Sequence, residues 1–174
     1  MEGMTRPSFL RSPVRQPGLA GALIVAAAVS LAPAARADVW SAFKGRIFVS
    51  DAEFGSGYST DAAMIAAVKK QSKSVIKSAG GTGGSWTLNL AVFLKEAAGA
   101  NKINIVYYDV SAKPREQVNF SEVDVKPDQK MVELNGIALS SDLGFVKGHK
   151  YDVLATRIVG GKEKVYAKTT MTLK

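Results

Sequence analysis

The sequence predicts a mainly β fold: an antiparallel β-sandwich preceded by one amphipathic α-helix near the mature N-terminus. Three observations predict it. Six β-rich runs crowd residues 85–174, with turn residues about every 8–12 positions. One stretch ahead of them carries apolar residues at helical spacing. No strand–helix–strand alternation is present, which disfavours a parallel nucleotide-binding sheet.

The N-terminus reads as an export signal. Arg6, Arg11 and Arg15 precede an apolar run over residues 18–31, followed by the small-residue site Ala35-Arg36-Ala37. The run falls short of the roughly 20 residues that a spanning helix needs. Residues 1–37 are therefore expected to be removed, leaving residues 38–174 as one domain. No cysteine follows the signal to take a lipid, and no Arg-Arg pair marks folded export. The expectation is a periplasmic or extracellular protein with no transmembrane segment in its mature chain.

Four of the 23 basic and one of the 15 acidic side chains fall in residues 1–37, leaving the mature chain at a net +5. That is mildly basic and not the footprint of a nucleic-acid binder. Cysteine is absent, which excludes thiol catalysis and thiolate metal sites. A domain of this length buries about two thirds of its unfolded surface and needs no disulfides.

The elements follow in order. Ile47 and Val49 alternate with Arg46 and Phe48, as in a short strand. A glycine- and serine-rich segment leads to Thr60, a helix cap, and Asp61 in the first turn. Met64, Ile65, Val68, Val75, Ile76 and Ala79 share one face of a helix expected to run to Gly80. Lys69, Lys70, Lys73 and Lys77 lie largely on the other. Four glycines around Thr82, in residues 80–84, are expected to be a linker. A phosphate cradle needs its glycines ahead of a helix, and here they follow one.

From Trp86 onward the chain reads as strand. Trp86, Leu88, Leu90, Val92 and Leu94 take one side of a pleat. The runs at 103–110, 118–125 and 131–140 follow, with Pro114 and Pro127 outside them. The runs at 151–158 and 164–173 flank Val159-Gly160-Gly161-Lys162, a hairpin signal. In the last run Val165, Ala167, Thr169, Met171 and Leu173 are expected inward, which turns Tyr166 outward. Tyr107 and Tyr108 are adjacent, so one of them must also point outward.

One local pattern sharpens the fold. The segment at 144–158, "GFVKGHKYDVLATRI", places a turn glycine and then Tyr-x-Val at the start of a long strand. It resembles the tyrosine corner of immunoglobulin-like and fibronectin type III domains. The resemblance covers residues 85–174 and implies an Ig-like sandwich. By that resemblance, Tyr151 bonds back across the turn near residues 143–148, and Val153 enters the core. The helix ahead of Trp86 departs from the plain family pattern. Such sandwiches host many roles, so the fold does not select a function.

No constellation singles out a catalyst. His149 is the only histidine, and it is expected in a solvated turn near Asp152, with no nucleophile elbow anywhere. Asp51, Glu53 and Asp61 are candidate Ca²⁺ ligands, but their loop fails the EF-hand pattern at Gly55 and Ala62. Asp109, Glu122 and Asp124 are candidate paired carboxylates for sugar cleavage, although no spacing selects a pair. Lys69, Lys73 and Lys77, flanked by Lys70, form a stripe that would suit an anionic partner. The bland alternative is a solvated face.

The expected function is an exported, non-enzymatic binding or structural module that uses no cofactor or metal. Its partner would be a protein or an anionic envelope component rather than a nucleic acid. One alternative is a small secreted inhibitor presenting residues 54–60 to a hydrolase. The other is a carbohydrate-active hydrolase using carboxylates.

Overall fold

The computed structural model describes residues 38–78 and 84–174, so residues 1–37, read above as an export signal, Ala79 of the expected helix face and the glycines of 80–83 lie outside the described residues. A five-residue helix, α1 (Val39–Phe43), is capped by Asp38, whose carboxylate accepts the Trp40 N–H at 3.2 Å. Strand β1 (Arg46–Ser50) and helix α2 (Asp61–Gln71) follow, then β2 (Val75–Ile76), β3 (Ser85–Phe93) and β4 (Lys102–Asp109). The chain continues through β5 (Glu116–Asp124), β6 (Met131–Ser140), β7 (Lys150–Val159) and β8 (Lys162–Leu173).

The strands form one curled, mixed sheet in the order β5-β4-β7-β8-β1-β3-β6, with β2 joined to β8. Most neighbours are antiparallel, as expected. The sheet is not antiparallel throughout, because β1 and β2 both run parallel to β8. The β1–β8 seam is a single bridge, Arg46 to Lys168. The β7–β8 hairpin turns on Gly160 and Gly161, both at positive φ (57° and 76°), which suits a two-residue loop matched to strand twist.

Alternation sets the two faces. Ile47 and Val49 of β1, and Trp86, Leu88, Leu90 and Val92 of β3, point into the core enclosed by the curl. Leu94, just beyond β3, joins them there. Ile103, Ile105 and Tyr107 of β4 enter the same core with Tyr151, Val153 and Ala155 of β7. Trp86 is buried and its indole N–H donates to the Lys174 carbonyl at 3.1 Å. The opposite faces of β1 and β3 carry Phe48, Ala91 and Phe93, which α1 and α2 cover with Phe43 and Val68. Phe43, Phe48 and Phe93 meet edge to face with centroids 4.5–5.8 Å apart.

The helix is shorter than its periodicity suggests. Thr60 caps it as expected, its hydroxyl accepting the Ala63 N–H at 3.1 Å, and Asp61 sits in the first turn. The helix ends at Gln71, however, because Ser72 takes an extended conformation while its N–H closes the last turn onto Val68. The Lys73 N–H then bonds to the Val49 carbonyl at 2.7 Å, and Val75–Ile76 pair with Thr172 and Leu173. Val75 and Ile76 are β-branched and favour strand. Their distance from Val68 also matches two helical turns, so periodicity alone misassigns them.

Tyr166 is a second correction. The register passes from Ala155↔Ala167 to Thr156↔Val165, leaving Tyr166 as the extra residue of a bulge. The extra residue shifts the alternation, so Tyr166 and Ala167 are both buried in the core. Of the adjacent tyrosines, Tyr107 is buried and Tyr108 is partly exposed under Arg115, whose guanidinium lies 3.8 Å from its ring centroid.

Candidate functional site

A concavity lies where residues 55–61 pass in front of β6. Phe54 anchors the segment, buried among Phe43, Phe48 and Val68 on the helix-covered face. Beyond it Gly57 takes φ +77°, a left-handed turn that glycine makes without strain. The chain then rises to the Thr60 cap of α2. This path leaves a hollow of about 370 Å³, walled by residues 55–61 and closed by Met64 of α2 and Glu133 of β6.

Its polar groups are largely uncommitted. The Tyr58 hydroxyl is shielded from solvent and has no hydrogen-bond partner. It lies against Gly55, where an added Cβ would come within 3.0 Å of the hydroxyl oxygen. The lining residues also include Asp61, Glu133, Ser56, Ser59 and Thr60, the last with its hydroxyl already accepting the Ala63 N–H. Neither carboxylate has a cation within salt-bridge distance among the described residues. Met64 supplies an apolar patch.

A second polar cluster lies at the junction of β4, β7 and β8. His149 Nδ1 and Asp109 Oδ2 are 2.6 Å apart. The other carboxylate oxygen of Asp109 accepts the N–H groups of Ser111 (2.8 Å) and Ala112 (3.2 Å). Ser111 Oγ accepts the Lys150 N–H at 2.9 Å, while the His149 carbonyl accepts the Leu173 N–H at 3.1 Å. Burial pushes the Asp109 carboxyl upward, but the His149 bond and the two N–H donors outweigh it and hold the group below its ordinary value. The histidine follows a turn and is partly solvent-exposed, and the carboxylate it meets is Asp109. The pair ties two loops to the sheet end, and the serine beside it is engaged by backbone.

Comparison with protein-family models, with curated proteins and with solved structures found no match.

The structure disperses the lysine and calcium sets and separates Asp109 from the other two carboxylates. Lys69 and Lys70 are exposed in the last turn of α2, but Lys73 and Lys77 lie beyond the helix. Lys73 binds Asp51 at 2.5 Å, and that bond holds the Asp51 carboxyl below its ordinary value. The single stripe at positions 69, 73 and 77 thus has no helix to carry it. Asp51 is engaged away from Asp61, and the described residues bring together no three metal-ligating side chains. Glu122 pairs with Lys102 and faces Asn104, five residues along β4 from Asp109, or about 17 Å. Asp124 lies farther still in the register, so Asp109 forms no carboxylate pair with either.

Two features escaped the sequence. Glu133 reaches the hollow only through the β3–β6 register, which places it opposite Ala91. Asp109 meets His149 across 40 residues. The Gly-Ser-Gly-Tyr-Ser-Thr run at 55–60 did mark a turn-rich segment, but not its concavity.

Proposed function

We propose that the chain is an exported, non-enzymatic binding module built on an Ig-like sandwich. The observation that carries the binding reading is the 55–61 hollow, a concavity lined by hydrogen-bonding residues, among them Tyr58 with an unpartnered hydroxyl. Its volume lies in the range usual for ligand sites, about 300–1,000 Å³.

The strand order supports the Ig-like reading. With β1, β3, β4, β5, β6, β7 and β8 taken as strands A, B, C, C′, E, F and G, one half of the curl is A-B-E and the other C′-C-F-G. Tyr151, the second residue of β7, then sits at the E–F corner. Its hydroxyl accepts the Val146 N–H five residues upstream, as a tyrosine corner does. Helix α2 occupies the A–B connection, which accounts for its departure from the plain family pattern.

The non-enzymatic reading is favoured by the use of the Asp109–His149 pair as a loop tie. The inhibitor alternative is weakened by Phe54, whose side chain is an anchor in the core and not part of a presented loop. Capture from an envelope extract by the immobilised protein tests the proposal. A binding module retains an envelope component reproducibly, whereas an inhibitor retains one hydrolase in stoichiometric amount. Retention of nothing beyond a control protein would defeat both readings.

A further inference from the structure

We infer that the 55–61 hollow binds a saccharide, a ligand of one or two rings rich in hydroxyl groups. The inference rests on the binding-module reading and names the ligand class of its site. The lining is mixed in its hydrogen-bonding character. The Asp61 and Glu133 carboxylates only accept, whereas Ser56, Ser59 and Tyr58 both donate and accept. A sugar hydroxyl is likewise donor and acceptor at once, so a ring of them matches such a lining. An ammonium group only donates and would leave the lining's donors unanswered. An anion is disfavoured by two carboxylates that carry no cation among the described residues. A wholly apolar ligand would strip water from those carboxylates without replacing it.

The Tyr58 hydroxyl adds a second, independent reason. It is shielded from solvent and unpartnered beside Gly55, a condition that native proteins seldom leave unanswered. Displacement of Gly55, which covers the hydroxyl, would open it to a ligand hydroxyl in the hollow. Met64 and the Tyr58 ring offer apolar surface to the C–H faces of a sugar ring, the amphipathic role that tyrosine fills at binding sites.

The test is an amide-resolved NMR titration of the full chain with three probes: an N-acetylglucosamine trimer, a glucose trimer and butylammonium chloride. At least one trimer should shift the Gly55, Gly57 and Ser59 amides saturably, and butylammonium should not. Tyr58→Phe keeps the ring and should weaken binding about fivefold, the loss of one hydrogen bond. Glu133→Gln, on an exposed strand position, provides a second variant and should weaken binding as well. The inference is overturned if neither trimer shifts these amides, if butylammonium alone does, or if both variants bind as tightly as the native protein. Capture of an envelope protein with no response to either trimer would retain the binding-module reading while removing the saccharide. Failure of both experiments would remove both.

Discussion

The Tyr151 hydroxyl accepts a hydrogen bond from the Val146 backbone N–H at 2.6 Å, fastening the turn before β7 to the core. Tyr107 packs against the same ring as Tyr151, Phe145, with centroids 5.5 Å apart against 5.2 Å for Tyr151. Yet the Tyr107 hydroxyl is buried without a partner, and burial pushes its titration far above the ordinary phenol value. Two tyrosines on one aromatic cluster should therefore respond oppositely to loss of the hydroxyl. Tyr151→Phe leaves the Val146 N–H unsatisfied and should cost about 1–3 kcal/mol. Tyr107→Phe removes an unsatisfied group and should be neutral or stabilise by about 1 kcal/mol. Urea unfolding of both variants checks the order, and a larger loss for Tyr107→Phe would contradict it.

The short strand β2 makes a separate claim. Ile76 is fully buried, and the Thr172 and Lys174 N–H groups bond to the Ser74 and Ile76 carbonyls at 2.8 Å. Ile76→Ala should cost about 2–5 kcal/mol and speed hydrogen exchange at the Thr172 and Lys174 amides. If α2 instead continued through these residues, both amides would exchange at the same rate in the variant and the native protein.

Asp109 predicts a pH dependence. Its carboxyl is held below the ordinary value of 3.8, so it binds fewer protons in the folded chain than in the unfolded chain. The sign follows: its contribution to stability is present above that ordinary value and is lost as pH falls through the lower folded value. The stability gap between the native protein and Asp109→Asn should be steady near neutral pH and shrink below about pH 4. Thermal unfolding across that range checks it. A gap that widens with acid would show that the carboxylate is not held by His149 and the two N–H groups.

Much of this fold was legible because alternation is a local property. Trp86 through Leu94 announce their buried side in the order of the residues, and Gly160-Gly161 announces its turn. The errors arise where two periods coincide or where one residue changes the parity. Val75 and Ile76 fit both a helical stripe and a strand, and the choice is made by Lys73 bonding to Val49, a contact absent from local sequence. Tyr166 faces inward because a bulge inserts one residue opposite the Ala155–Thr156 step. Helix α1 is too short to show a period. The candidate site was legible only in part, since residues 55–60 mark a loop whereas Glu133 arrives from a strand about seventy residues later. The Asp109–His149 pair depends on the register of β4 against β7 in the same way.

The central claim is that this chain binds envelope material without transforming it. The most direct measurement incubates the purified protein with cell-wall polysaccharide and follows, in one sample, protein retained on the solid and product released from it. The account predicts saturable retention, weakened by Tyr58→Phe and Glu133→Gln, with no soluble product over time. Product release that Asp109→Asn or His149→Gln abolishes would contradict it, as would the absence of any retention.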